Sequence, residues 1–147
     1  MWTAFLKFAC GPTDKPSPNG RDLGVLLVRL YAGGLMIWLH GWSKAQKIGA
    51  ETIAFPDPLG IGAELSLYLA VFAEVVCAAL LVVGLFTRFA CLPLLVTMLV
   101  AFFIVHADDP LKVREPALLY LLPYLALLFS GAGRYSFDRI FRDKFYL

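Results

Sequence analysis

The chain has 147 residues, 60% of them hydrophobic and 16% charged, with a formal net charge of +2. A soluble domain averages about 45–50% apolar residues, so with a mean hydropathy of +0.74 the chain reads as a single integral membrane domain. It carries no nucleophilic triad, no phosphate-cradling glycine loop and no pattern that supports nucleic-acid binding.

The first residues, MWTAFLKFAC, are too short for a signal peptide and hold Lys7 inside their apolar part. The expectation is a short interfacial segment anchored by Trp2 and Phe8, followed by the turn-rich linker Gly11 to Gly20. This segment and linker occupy 1–22, a four-span membrane domain 23–133 and a basic cytoplasmic tail 134–147. The first predicted span is Leu23 to Leu39, closed by HGW at His40 to Trp42. Its one charge, Arg29, shares a helical face with Gly33, Met36 and His40. A longer connection follows, Gly41 to Glu64. Its first half, SKAQKIGAETIAF, is expected to lie along the interface as a short helix, and its second half, PDPLGIG, to turn.

The second predicted span is Leu65 to Phe86, with Glu74 as its single charge near the middle. A helix of that length spans roughly 33 Å, about a bilayer core. The neighbours of Glu74 on the same face are Ala70, Cys77 and Ala78, all small, so that face should pack against protein. The two residues Thr87 and Arg88 then form a loop short enough to force an antiparallel hairpin. The third span, Phe89 to Val105, is uncharged, has Pro93 in its first turns and ends at His106. The fourth is Pro116 to Ser130, started by Pro116 and kinked by Pro123, with Tyr120 and Tyr124 one turn apart on one face.

The fold class is therefore all-α, an integral membrane four-helix bundle. Eight Lys and Arg residues outside the spans fall on one side (Lys7, Lys15, Arg21, Arg88, Arg134, Arg139, Arg142 and Lys144) and four on the other (Lys44, Lys47, Lys112 and Arg114). The positive-inside rule then puts both termini in the cytoplasm and the basic tail against anionic headgroups.

An isolated charge at mid-membrane costs at least about 2.5 kcal/mol. Arg29 and Glu74 fall at similar predicted depth, and their pairing is the simplest compensation. Such a pair either fixes helix packing or takes part in function; Arg29 could also snorkel to the surface alone. A second polar group is expected at the opposite mouth, where His40, Lys44, His106, Glu115 and Tyr120 could converge, lining a polar pocket open to the periplasmic half of the membrane. The bland reading is that polar residues end spans because water begins there. Cys10, Cys77 and Cys91 have neither metal nor disulfide spacing and read as small packing residues.

These residues carry a resemblance. Arg29, HGWSK (His40 to Lys44), DPLGIG (Asp57 to Gly62), Glu74, GLFTR (Gly84 to Arg88), Met98, His106, EPALLYL (Glu115 to Leu121) and GAGRYSFD (Gly131 to Asp138) resemble the DoxX family of membrane proteins, in order, from Leu23 to Asp138. The resemblance implies a four-helix bundle in the bacterial cytoplasmic membrane, similar to the membrane subunit of thiosulfate:quinone oxidoreductase. Some relatives are associated with redox and thiol-stress complexes.

Three functions are then open. The first is a quinone-interacting subunit of a membrane oxidoreductase, with quinone as its cofactor and electrons from a protein partner. In that reading His40, Lys44, His106 and Tyr120 bind the headgroup, and Glu74, Arg29 and Glu115 form the catalytic proton path. The second is a non-catalytic scaffold or partner protein, acting with another protein or with a second copy of itself. The third is a small-solute transporter, for which four spans are few and no inverted repeat is visible.

Overall fold

The computed structural model describes residues 19–50 and 54–145, so the expected N-terminal segment lies outside the described residues apart from its last few positions. The described chain is all-helical. Four helices are long and apolar enough to cross a membrane: α1 (Gly20–Ala45), α2 (Ala63–Val83), α3 (Thr87–Val105) and α4 (Leu111–Ser130). A short helix, α5 (Phe137–Phe145), ends the fold. The four spans form a ring, α1 on α2, α2 on α3, α3 on α4 and α4 back on α1.

Between the helices the core is built from small and medium side chains, including Ala32, Met36, Cys77, Ala78, Leu81, Cys91, Leu94, Tyr124 and Leu127. Membrane helices gain little from hiding apolar surface, since lipid is equally apolar. They associate by close backbone approach at small residues and by buried polar contacts. Gly41 shows this at its limit, because a Cβ there would stand 2.8 Å from the Glu74 carbonyl oxygen and 2.7 Å from Val75 Cγ2. The outer surface is apolar in the manner of a lipid-facing bundle, with Leu122, Phe129 and Phe103 largely exposed. Trp38 and Trp42 are exposed near the end of α1, where an aromatic belt belongs.

Three expected boundaries move. The first span does not stop at Leu39. It continues as helix to Ala45 through a π-helical stretch, Met36–Gly41, so the expected interfacial helix of the connection is in part the end of α1. Thr87 and Arg88 are not the loop but the first residues of α3; the turn is Gly84 to Phe86, with Gly84 and Phe86 both left-handed. α4 starts at Leu111, behind Pro110, rather than at Pro116. Pro116 lies in the early helix, and the added turn is held by Arg114, which sits 4.2 Å over the Phe102 ring and donates to the Ala107 carbonyl.

At one end of the bundle a polar knot ties the turn after α2 to the segment after α4. Arg29 is 1% exposed. Its guanidinium donates to the carbonyls of Leu81 (2.9 Å), Val82 (2.8 Å), Ala132 (2.7 Å) and Tyr135 (2.8 Å). The last carbonyls of a helix lack intrahelical partners and carry its negative dipole end, so a cation is at home there. Asp138 accepts from the amides of Phe86 and Thr87 at the start of α3, and Asp22 accepts from the Arg134 amide. Burial pushes the Asp138 carboxyl up from its usual range, opposed by those amides and by Arg29. Gly84 closes the knot: its φ is +73° and a Cβ would meet Arg29 Nη2 at 2.5 Å.

Candidate functional site

The expected Arg29–Glu74 pair does not form, and helix register is the reason. Gly41 packs on Glu74 and Gly33 on Val82, so antiparallel α1 and α2 put Arg29 level with the end of α2. Glu74 lies about two turns, roughly 11 Å, along α2 from Leu81 and Val82, whose carbonyls hold the Arg29 guanidinium. Arg29 is enclosed by the carbonyls of the knot and does not reach Glu74.

The partner of Glu74 is Lys44, whose Nζ donates to both carboxylate oxygens. Glu74 is buried, with a side chain 2% exposed, while that of Lys44 is 25% exposed. Lys44 lies one turn beyond Gly41, the residue in contact with Glu74. Helical side chains lean towards the helix N-terminus, so a lysine at the end of α1 reaches back along its own helix to the carboxylate. Glu74 lies within the π-helical segment Phe72–Cys77 of α2 and Lys44 one turn beyond the π-helical segment Met36–Gly41 of α1, and the two segments pack on one another. Such segments place an extra residue in the turn and recur at functional sites.

Beside the pair is a cavity of about 510 Å³. Its walls are α2 from Ser66 to Glu74 and α3 from Pro93 to His106, and its roof is the loop before α2, including Phe55, Pro58 and Leu59. The lining is almost wholly apolar, with Lys44 and Glu74 at its polar end. The roof is held by Asp57, which accepts from the amides of Ile61 (3.0 Å) and Gly62 (2.8 Å) and from Ser66 Oγ (2.9 Å). These bonds, led by that from Gly62, hold the Asp57 carboxyl below the usual carboxylate range.

The other predicted site residues separate into groups. Lys44 and His106 both line the cavity. The His106 ring is 2.7 Å from Asp109 at its Nδ1 and is partly exposed. His40 does not line the cavity. It meets Tyr120 edge to face at 5.5 Å, Tyr120 stacks on Tyr124 at 6.0 Å, and the Tyr124 hydroxyl donates to the Ala32 carbonyl. That column lies in the α1–α4 contact. Glu115 is exposed near the start of α4 and is not part of the cavity wall. The expected mouth thus divides into a cavity holding Lys44, Glu74 and His106, a packed column of His40 and Tyr120, and an outlying Glu115. Among the described residues no three His, Cys, Asp or Glu side chains gather as a metal site. A polar pocket lined by His40, Lys44, His106 and Glu115 was expected here; of these only Lys44 and His106 line the cavity, and its apolar walls and its loop roof were not foreseen, because they are ordinary apolar residues.

Comparison with known proteins finds relatives over most of the chain. A Haemophilus influenzae (strain ATCC 51907 / DSM 11121 / KW20 / Rd) protein is 32% identical over 137 residues, covering 86% of this chain and 88% of its own length. A second from the same organism is 34% identical over 116 residues, covering 74% of this chain and 84% of its own. Both are described as uncharacterized proteins. No solved structure matches the chain significantly. The DoxX pattern matches residues 24–107, a stretch that contains Arg29, the Lys44–Glu74 pair and both long walls of the cavity: the chain is a multi-pass membrane protein of the DoxX family.

Proposed function

We propose that the chain is a quinone-interacting subunit of a membrane oxidoreductase in the bacterial cytoplasmic membrane, with both termini cytoplasmic. The observation that carries the reading is the 510 Å³ apolar cavity ending on the Lys44–Glu74 pair. Ligand sites are typically about 300–1,000 Å³, apolar, with a few placed polar groups, and a quinone is an apolar molecule with two carbonyl acceptors. In this reading Lys44 donates to one carbonyl, His106 stands at the far rim, and the apolar walls take the ring and tail. Glu74 holds Lys44 in position through two hydrogen bonds. A bound quinone supplies two-electron, two-proton chemistry, the electrons coming from a protein partner. Arg29, sealed in the knot, has a positioning role only, and His40 and Tyr120 support the pair from behind.

The test is equilibrium binding of decylubiquinone to the purified protein, with analysis of co-purifying quinone. A hydrogen bond to a charged group is worth about 1.5–3 kcal/mol, so Lys44→Met should weaken binding by about tenfold or more. Unchanged affinity in Lys44→Met would remove the cavity from the reading. A stoichiometric protein partner without quinone would favour the scaffold.

A further inference from the structure

The cavity's polar end has a property that the quinone reading does not use: its two charges cancel. Lys44 brings one positive charge and Glu74 one negative, joined by two hydrogen bonds. The remaining named walls, including Phe72, Val96, Val100 and Ala101, carry none. His106 at the rim already faces Asp109. An occupant with a charged head would therefore add an unbalanced charge beside a neutral pair in an apolar surround, where charge is expensive. A neutral head with an acceptor oxygen can share the Lys44 ammonium, which has three donors; Lys44 is partly exposed and lines the cavity. We propose that the cavity takes uncharged single-chain amphiphiles from the bilayer and rejects their anionic counterparts, and that Glu74 is the residue that sets this selection. The inference rests on the cavity being a ligand site, as the quinone reading does, but quinone is only one member of the class.

The proposal makes Glu74 a specificity residue and not merely a structural one. With Glu74 neutralised, Lys44 is an unbalanced cation at the end of an apolar pocket, and that arrangement attracts a carboxylate. Glu74→Gln should thus reverse the preference, whereas a general loss of structure would weaken both ligands together. Removing both charges, in Lys44→Met/Glu74→Gln, should restore a preference for the neutral head.

The experiment measures retention of radiolabelled methyl palmitate, hexadecanol and palmitate by the detergent-purified protein, each corrected by protein-free micelles at one neutral pH. The expected result for the parent protein is retention of the ester and the alcohol over palmitate by about tenfold or more, the factor that 1.4 kcal/mol gives. Glu74→Gln should retain palmitate over the ester. Equal retention of ester and palmitate by the parent, or retention of none of the three, overturns the proposal without any variant. An unchanged ratio in a folded Glu74→Gln protein overturns the role of Glu74. Retention of neutral amphiphiles without decylubiquinone binding would leave charge selection standing and dismiss the quinone reading.

Discussion

Lys44 and Glu74 are an unequal pair, and the inequality predicts unequal mutants. Glu74 sits in the middle of α2 with its side chain 2% exposed, whereas Lys44 is at the end of α1 and 25% exposed. Lys44→Met strands a carboxylate inside the bundle, a loss of about 3–5 kcal/mol. Glu74→Gln leaves an acceptor for the ammonium, and Lys44, already partly exposed in its place, keeps contact with water. That substitution should cost only about 1–2 kcal/mol, within the range for one weakened charged hydrogen bond. The double variant Lys44→Met/Glu74→Gln strands no charge and should cost about as much as Glu74→Gln alone, so the coupling energy has the size of the Lys44→Met loss, about 3–5 kcal/mol. Denaturation of the four proteins in mixed micelles, followed by circular dichroism, measures all the terms. Strictly additive losses, or a Glu74→Gln loss larger than that of Lys44→Met, would refute the assignment of Glu74 as the buried, dependent partner.

Arg29→Lys should destabilise the bundle by about 3 kcal/mol or more, because an ammonium cannot reproduce a planar fork serving carbonyls from two segments; the same denaturation assay reads it. Asp57 should make the cavity roof acid-sensitive. Its folded-state pKa lies below the unfolded value of about 3.9, so its contribution is full above that pH and lost as pH falls through the folded value. Protection of the amides of residues 54–62, the ratio of intrinsic to observed hydrogen-exchange rate, should therefore fall as pH drops below about 3.9, and Asp57→Ala should show the low protection above that pH as well. The eight-to-four split of Lys and Arg predicts that a fluorescent protein fused after Leu147 is fluorescent in the cytoplasm and that alkaline phosphatase fused there is inactive.

The four spans, the protein-facing side of Glu74 and the shared face of Tyr120 and Tyr124 were legible in the sequence because each is a local property of one helix. Hydropathy finds the span, and periodicity finds the face. The partners of Arg29 and Glu74 were not legible, because they depend on register between helices, which is fixed by close approaches such as Gly41 on Glu74 and Gly33 on Val82. Depth counted from apolar boundaries failed for a related reason. The segment HGWSKA is too polar to read as span, yet it continues α1 as helix, and it carries the lysine that matters. The GAGRYSFD resemblance marked a region of interest, but only coordinates show that its carbonyls enclose Arg29 and that its Asp138 caps α3.

The two polar sites differ in a way that separates structure from function. In the knot the guanidinium of Arg29 is spent on carbonyls and the residue is sealed from solvent, so the knot can hold helices together but offers a ligand nothing. At the other end an ammonium faces an apolar cavity, and the helices around it are irregular: Met36–Gly41, Phe72–Cys77 and Ala101–Val105 are all π-helical and all lie in that half of the bundle. If the extra residue in the π-helical stretch of α1 sets the register of Lys44 on Glu74, adding a further residue just after it should disconnect the pair and spare the knot. An alanine inserted between Trp42 and Ser43 turns the following residues by about 100°, which takes Lys44 off Glu74. The insertion should cost about as much as Lys44→Met, on the order of 3–5 kcal/mol, and adding Glu74→Gln should return part of that loss, since no carboxylate is then stranded. Deletion of Leu39, which is 57% exposed and contributes little packing, removes the extra residue of the π-helical stretch and, with the insertion, should bring Lys44 back to Glu74. If Glu74→Gln costs as much in the insertion protein as in the parent, Lys44 still reaches Glu74 and helix register has no part in aiming it.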